Sequence, residues 1–208
     1  MDLKNRVVVI TGASSGIGQA AAKELAQDKT RLLLAARRVD RLEQLAGEVE
    51  ALGAEALVKE TDVTSRGACE AAVQAAAGKW GGVDVLINNA GIMPLSYLDK
   101  LKMDEWEQMV DVNIKGVMYM TAAALPYLID SGHGFIVNVS SVAGRRVYPG
   151  GAVYCGTKAF VCSFSEGLRQ ELSAGKNLRV VAIEPGVVAT ELTQTITDDD
   201  IRENMKPI

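Results

Sequence analysis

Short apolar runs alternate with longer amphipathic segments along the chain. The runs are rich in Val, Leu and Ile and have the length of buried strands. They predict six strands, at residues 6–10, 31–36, 56–60, 83–87, 134–139 and 178–183. The segments between them have the apolar spacing of helices, at residues 17–27, 40–52, 65–78 and 103–129 and from Tyr154 to about 173. Such alternation predicts an α/β domain with a doubly wound parallel sheet and helices on both faces.

Two features refine these helices. Ser65 has the side chain of an N-cap and should begin the third helix. Asn113 and Pro126 mark irregular points in the long fourth helix. The polar tail from residue 193 to 208 contains no clear strand, and its acidic run 198–200 predicts either a solvated helix start or part of a mobile lid.

Polar residues and glycines follow the predicted strands directly. In chain order they are Gly12, Arg37, Asp62, Asn89, Ser141 and Pro185. Because ligands of open α/β sheets bind at the carboxyl ends of the strands, these residues should converge on one site.

Composition narrows the class of protein. With 208 residues and 48% hydrophobic content, the chain should form one domain over residues 1–208. A net charge of −4 without a basic run argues against nucleic acid as a partner. No apolar stretch is long enough to cross a membrane, and the first residues lack the apolar region of a signal peptide. Three cysteines without metal-ligand spacing indicate reduced thiols, a cytoplasmic location and no metal site.

The first strand ends in the glycine-rich sequence TGASSGIG at residues 11–18. Gly12 would allow a tight turn, Gly16 a close approach of the backbone to a pyrophosphate, and Gly18 close packing of the helix on the sheet. The helix N-terminus that follows offers free N–H groups to an anion. An ordinary glycine-rich turn is the alternative interpretation.

The second strand ends in Ala35-Ala36-Arg37-Arg38, where an NAD site usually has an acidic residue. A guanidinium can instead bind the 2′-phosphate of NADP through two hydrogen bonds. The sequence therefore favours NADP over NAD. Two alternatives remain open: these arginines begin a solvated helix, or the protein uses both cofactors.

Tyr154 and Lys158 are spaced to lie on one face of a helix, and Ser141 precedes the tyrosine by 13 residues. The ammonium of Lys158 should lower the pKa of the phenol, so that Tyr154 can donate and accept a proton near neutral pH. Ser141 would hold the substrate oxygen. The bare Tyr–Lys spacing is a weak signal, and it gains weight from the glycine-rich loop.

Taken together, these motifs closely resemble the short-chain dehydrogenase/reductase family over almost the whole chain. They include TGASSGIG, Asp62-Val63, NNAG at 88–91, Asn113, Ser141, Tyr154, Lys158 and PGVVAT at 185–190. The chain is most similar to an NADP-dependent branch that contains clavaldehyde dehydrogenase and the 3-hydroxy acid (serine) dehydrogenases. The resemblance implies a Rossmann fold and a catalytic set of Asn113, Ser141, Tyr154 and Lys158. In that family Asn113 would hold a water that links Lys158 to solvent.

The resemblance also implies a cofactor site. Its residues would be Gly12, Ser14, Gly16, Ile17, Gly18, Arg37, Arg38, Asp62, Val63, Asn89, Ala90, Gly91, Tyr154, Lys158, Pro185, Gly186, Val188 and Thr190.

Three further expectations follow from the resemblance. The family continues beyond the proline-glycine loop with a seventh strand, so residues 191–208 would be a substrate lid or a truncated C-terminal region, and strand six an exposed edge. Assembly as a homodimer or homotetramer is expected. Arg145 and Arg146 follow Ser141 closely and could clamp a carboxylated substrate together with Ser141 and Tyr154, or could be solvated loop residues.

The leading prediction is an NADP-dependent oxidoreductase acting on a small alcohol or carbonyl. The alternative is a dinucleotide-binding redox sensor or scaffold without turnover. Retention of the Ser–Tyr pair favours the enzyme, because binding alone does not require it.

Overall fold

The apolar runs form one parallel sheet of six strands in a computed structural model that describes residues 3–204, without the Asn204 side chain. The strands are β1 (Val7–Thr11), β2 (Arg31–Ala36), β3 (Glu55–Glu60), β4 (Val85–Asn88), β5 (Phe135–Val139) and β6 (Arg179–Ile183). They are ordered β3-β2-β1-β4-β5-β6, so the direction of winding reverses between β1 and β4. This order is that of the Rossmann fold, as predicted.

Helices cover both faces of this sheet. They are α1 (Gly16–Ala26), α2 (Val39–Ala51), α3 (Arg66–Trp80), α4 (Met103–Val110), α5 (Gly116–Asp130), α6 (Ala152–Lys176) and α7 (Asp199–Asn204). Neighbouring residues of a strand point to opposite faces. Accordingly Val8 and Ile10 pack with α1 and α2, whereas Val7 and Val9 pack with α3 and α5. The doubly wound prediction is confirmed.

The third helix begins where the sequence predicted. Ser65 has an extended backbone, and its hydroxyl accepts a hydrogen bond from the Ala68 N–H at 3.3 Å. The fourth predicted helix differs, because a π-helical turn, Asp111–Lys115, separates α4 from α5. Pro126 lies inside α5 without ending it. The irregularity therefore lies at Asn113, the residue that the family resemblance assigns to the site.

The tail after β6 folds back over the sheet edge. It contains a 3₁₀ turn, Glu191–Thr195, and then α7. Asp198 is only 4% exposed and accepts hydrogen bonds from the N–H groups of Tyr97 and Asp200. The prediction of a solvated acidic run is thus wrong for Asp198. Its carboxylate instead caps the start of α7. Residues 205–208 of the predicted lid lie outside the described residues.

No helix within residues 3–204 is long and apolar enough to cross a membrane.

Candidate active site and cofactor groove

A cavity of about 730 Å³ opens at the carboxyl edge of the sheet. Its walls come from the segments after all six strands, beginning with Gly12 beside β1 and Asn89 beside β4. This is the switch point where ligands of open α/β sheets bind. Of the residues predicted to bind a cofactor, all but Gly18 line the cavity.

The glycine loop is packed so tightly that a side chain is excluded at Gly12 and at Gly18. Gly12 has a φ of +63°, and a Cβ there would lie 2.8 Å from the Ala90 Cα. A Cβ on Gly18 would lie 2.5 Å from Asn89 Nδ2. Gly18 therefore serves the packing of α1 on the strand edge, which explains its absence from the cavity wall.

The start of α1 faces this groove without a capping side chain. Ser15 is extended at the N-cap position and its side chain makes no capping hydrogen bond. Free N–H groups at a helix start favour an anion. The cradle of glycines and the uncapped helix thus fit the pyrophosphate of a dinucleotide.

Asn89 braces the loop from the neighbouring strand. Its Nδ2 donates to the carbonyl oxygens of Thr11 at 3.0 Å and Gly12 at 3.1 Å. The N–H groups of Asn89 and Ala90 both donate to Thr11 Oγ1 at 3.0 Å. The amide of Asn89 therefore fixes the shape of the glycine loop.

The two arginines after β2 have different surroundings. Arg38 donates to Ser14 Oγ at 3.1 and 3.2 Å and to Ser15 Oγ at 2.8 Å. Arg37 lines the groove beside Asp62. The pKa of Asp62 is lowered, chiefly by the Thr64 N–H that donates to it and also by the charge of Arg37. Both arginines thus line the groove edge where a 2′-phosphate was predicted, and Arg38 is already held by the glycine loop.

Sequence reasoning missed Glu191, which lies at the same edge. Its Oε2 accepts from Arg38 at 2.8 Å and its Oε1 from Arg41 at 2.6 Å. Arg41 and Arg38 lower the pKa of Glu191 to about 2. The only sequence signal was an acidic residue directly after the PGVVAT motif.

Ser141 and Tyr154 meet at the other end of the groove. Ser141 follows β5, and its hydroxyl accepts from the Ala143 N–H at 3.1 Å. Tyr154 lies in the first turn of α6 and is 4% exposed. The Ser141 hydroxyl donates to the Pro185 carbonyl at 3.4 Å and lies near enough to the Tyr154 phenol to influence its pKa. Burial raises the pKa of Tyr154, and the neighbouring Ser141 hydroxyl opposes this only in part.

The predicted lowering of the Tyr154 pKa by Lys158 is therefore wrong in this arrangement. Lys158 is 6% exposed, and its Nζ lies 5.8 Å from the centre of the tyrosine ring. The same Nζ donates to the Val139 carbonyl at 2.9 Å. Burial lowers the pKa of Lys158 to about 8. For both groups, the loss of hydration on burial therefore shifts the pKa more than the neighbouring groups do.

Asn113 lies behind these residues, in the π-helical turn. Its Oδ1 accepts from the Ile92 N–H at 2.9 Å, and its Nδ2 donates to the Ile92 carbonyl at 3.0 Å and to Thr157 Oγ1 at 3.1 Å. The carboxamide therefore ties the loop after β4 to α6. Its water-holding role stays a prediction.

The structure places Arg145 and Arg146 outside the cavity wall. Arg145 donates to both carboxylate oxygens of Glu184, at 2.7 to 3.0 Å, and its side chain is 65% exposed. Glu184 thus takes the Arg145 guanidinium, and a clamp on a substrate carboxylate by either arginine stays a prediction.

The wall near Ser141 and Tyr154 is instead apolar and aromatic. It includes Met93, Leu95, Tyr97, Tyr148, Leu192 and Ile201. These residues come from loops and the tail, where no sequence motif marks them.

Comparison with known proteins agrees with this geometry. The family model described as short chain dehydrogenase matches residues 6–201. An uncharacterized oxidoreductase of Staphylococcus saprophyticus is 49% identical over 206 residues, which is 98% of this chain and 82% of the relative. The NADP-dependent 3-hydroxy acid dehydrogenase YdfG of Shigella flexneri is 39% identical over 183 residues, 88% of this chain and 72% of the relative.

Solved structures are similar over the same length. The closed form of serine dehydrogenase complexed with NADP+ has a TM-score of 0.87 at 36% identity, covering 97% of this chain and 82% of that one. A short-chain dehydrogenase/reductase from Burkholderia phymatum in complex with NAD has a TM-score of 0.90 at 30% identity, covering 100% and 72%. The chain thus belongs to the short-chain dehydrogenase/reductase family of oxidoreductases.

Proposed function

We propose that this protein transfers a hydride between NADP(H) and the carbonyl or alcohol carbon of a small substrate, with Tyr154 as general acid and base. The observation that carries the proposal is the cluster of Ser141 with the buried Tyr154 and Lys158 in the cavity wall. It lies at one end of a groove whose other end is the glycine loop. The nicotinamide, when bound, supplies or accepts the hydride.

The three side chains have distinct tasks in this proposal. Tyr154, with its raised pKa, is protonated at neutral pH and can donate to a carbonyl oxygen as that oxygen gains charge. Ser141 Oγ holds the same substrate oxygen. Lys158, when protonated, stabilises the phenolate that Tyr154 leaves after the transfer. Asn113 acts as a positioning residue through Ile92 and Thr157.

We propose NADP as the preferred cofactor because the edge of the groove carries positively charged side chains. Arg37 and Arg38 follow β2 directly and line the groove. Guanidinium groups bind a 2′-phosphate well, whereas NAD sites usually have an acidic residue there. The NADP dependence of YdfG and the NADP+ bound to serine dehydrogenase support this preference.

A small, mainly apolar carbonyl compound or alcohol is the proposed substrate. Met93, Leu95 and Ile201 lie in the wall near Tyr154. Among the described residues of that wall, the arginines are Arg37 and Arg38, at the glycine-loop end. Support for a carboxylated substrate thus comes from the similarity to the 3-hydroxy acid dehydrogenase YdfG and to serine dehydrogenase. Homodimer or homotetramer assembly and a cytoplasmic location likewise stay proposals.

The test combines binding with turnover. NADPH fluorescence titration should detect binding to the wild type, and a panel of aldehydes and ketones should reveal NADPH oxidation. Tyr154→Phe should lower kcat by about 10²–10⁴-fold while the Kd for NADPH stays within a few-fold. Tyr127→Phe is the matched control, because Tyr127 packs against the core away from the groove.

Two results would contradict the proposal. A Tyr154→Phe protein with more than about a tenth of the wild-type rate would remove Tyr154 from the proton transfer. Tight NADPH binding without turnover of any carbonyl compound in the panel would favour the sensor or scaffold instead.

A further inference from the structure

Glu191 forms an ion-pair bridge across the edge of the groove. One carboxylate oxygen binds Arg38 at 2.8 Å and the other binds Arg41 at 2.6 Å. Arg38 precedes α2 and Arg41 lies in its first turn, whereas Glu191 begins the 3₁₀ turn of the tail. A single carboxylate therefore links the tail to the segment that follows β2.

This bridge engages Arg38, one of the two arginines predicted to bind the 2′-phosphate. The Nε and Nη2 of Arg38 already donate to Ser14 and Ser15 in the glycine loop. Its Nη1 is the group directed to Glu191. An additional anion at Arg38 must share or replace the contact with Glu191, and two like charges at one guanidinium repel each other.

We propose that Glu191 is a cofactor-specificity residue whose carboxylate competes with the 2′-phosphate of NADP for Arg38 and Arg41. It weakens the binding of a 2′-phosphorylated nucleotide more than that of an unphosphorylated one. The inference rests on the proposed dinucleotide groove, and it concerns a residue to which neither the motifs nor the comparisons assign a role.

If the ion-pair bridge served only to stabilise the fold, its exposed position at the groove would be hard to explain. The side chains of Arg38, Arg41 and Glu191 are 37 to 43% exposed, and exposed ion pairs contribute little to stability. Glu191 also lines the groove, together with Thr190 and Leu192. Its pKa of about 2 means that the carboxylate is charged throughout the pH range of ordinary binding assays. Titration of Glu191 should therefore add no pH dependence to the competition between about pH 5 and pH 9, whereas a phosphate monoester titrates at about pH 6.

The experiment uses two small nucleotides, so that it does not depend on turnover. Adenosine 2′,5′-bisphosphate carries the 2′-phosphate, and 5′-AMP lacks it. Calorimetric titration of the full chain gives both Kd values for the wild type, Glu191→Gln and Glu191→Ala. Both variants should bind the bisphosphate about 10-fold more tightly, while the Kd for 5′-AMP changes less than about twofold.

Two controls separate competition from a general effect of charge. Glu184→Gln removes the same charge from a carboxylate that also pairs with an arginine, but outside the groove wall. It should leave both Kd values unchanged. In an Arg38→Ala background, Glu191→Gln should lose most of its effect on the bisphosphate. Circular dichroism of each variant verifies that it is folded.

An unchanged or weaker affinity of the folded Glu191 variants for the bisphosphate would overturn the inference, since Glu191 would then be positioning Arg38. Equal tightening of both nucleotides would overturn it too. If wild-type protein binds neither nucleotide nor NADPH, the proposed function itself fails and the inference falls with it. Nucleotide binding without an effect of Glu191 refutes the inference alone.

Discussion

Tyr154 and Lys158 are both buried, with exposures of 4% and 6%, and burial moves their pKa values in opposite directions. The pKa of the phenol rises and that of the ammonium falls to about 8. Near neutral pH the tyrosine keeps its proton, while the lysine is within about one pH unit of losing its own. Small changes in the charge of the groove therefore have a large influence on whether Lys158 is ionised.

Lys158→Met should stabilise the fold at pH 7. The folded-state pKa of about 8 lies below the value of 10.5 for the unfolded chain, so the unfolded state binds more protons between these pH values. The free energy of unfolding of the wild type should therefore rise from pH 8 to pH 10.5. Below pH 8 the buried ammonium of Lys158 destabilises the folded state. We expect the variant to gain ~1–3 kcal/mol at pH 7, because methionine removes the buried charge. The gain should shrink as the pH approaches 10.5.

Urea denaturation of both proteins at pH 7 and at pH 10 measures this difference. Lys176→Met, an exposed position on the same helix, should stay within ~0.5 kcal/mol of the wild type. A variant that is less stable than the wild type at pH 7 would contradict the expectation. So would a difference that does not vary with pH.

At the scale of elements, a buried chain of polar side chains connects the strands and helices that carry the site. Asn88 of β4 donates to Thr121 of α5 at 3.0 Å and to Asn138 of β5 at 2.9 Å. Asn138 donates in turn to Ser165 of α6 at 2.8 Å. Since unpaired polar groups are costly in a dry interior, these bonds specify how α5 and α6 dock on the sheet.

Asn138→Ala should therefore destabilise the protein by ~2–4 kcal/mol, because it removes a fully buried amide and takes one hydrogen-bond partner from each of Asn88 and Ser165. Chemical denaturation gives the free energy of unfolding. Gln74→Ala removes an amide from an exposed position in α3, and its effect should stay within ~0.5 kcal/mol. Similar values for the two variants would mean that the polar chain is not a stabilising element.

The hydrophobic pattern of the sequence predicted helices and strands well where the apolar residues of a segment are also the buried ones. The bounds of β2 match the predicted strand, because its apolar run is buried on both faces. The π-helical turn was only marked as an irregular point. Its shape depends on contacts of Asn113 with Ile92 and Thr157, which are 21 and 44 residues away in sequence.

The same distinction applies to the site. Ser141 follows a strand, and Tyr154 and Lys158 share a helix face. Their spacing in the sequence was therefore enough to predict that they lie close together. Their burial, which reverses the expected pKa of Tyr154, depends on loops that no motif marks. Glu191 was missed because its partner Arg38 lies 153 residues earlier in the chain. Arg145 was predicted to be either a clamp for a substrate carboxylate or a solvated loop residue, and its partner Glu184 lies 39 residues away.

At the scale of the whole molecule, the outer surfaces of α5 and α6 carry apolar side chains that the described residues leave partly uncovered. Phe160 and Phe164 stack with their ring centres 5.5 Å apart. Met118 of α5 is 41% exposed. Exposed apolar groups of this kind favour burial against another protein surface. We therefore propose this face for the homodimer that the family resemblance implies.

Phe164→Glu should shift the protein toward monomers, because a carboxylate in the middle of an apolar interface would be buried without a partner. Light scattering after size-exclusion chromatography gives the mass of the particle. Leu52→Glu is the control, since Leu52 is 46% exposed and lies just after α2, on the opposite face of the sheet. An unchanged mass of the Phe164 variant would place the interface elsewhere, and a monomeric wild type would contradict assembly altogether.

The β6 strand has a consequence for the behaviour of concentrated solutions. Val181 and Ile183 are 42% and 46% exposed on a strand that lies at the edge of the sheet among the described residues. Two molecules whose edges approach each other can gain both main-chain hydrogen bonds and contact between these side chains. The second virial coefficient should thus be negative, and turbidity should increase with concentration well before the protein unfolds. Replacing both residues with threonine keeps the β-branched shape, and it should raise the concentration at which the solution turns cloudy.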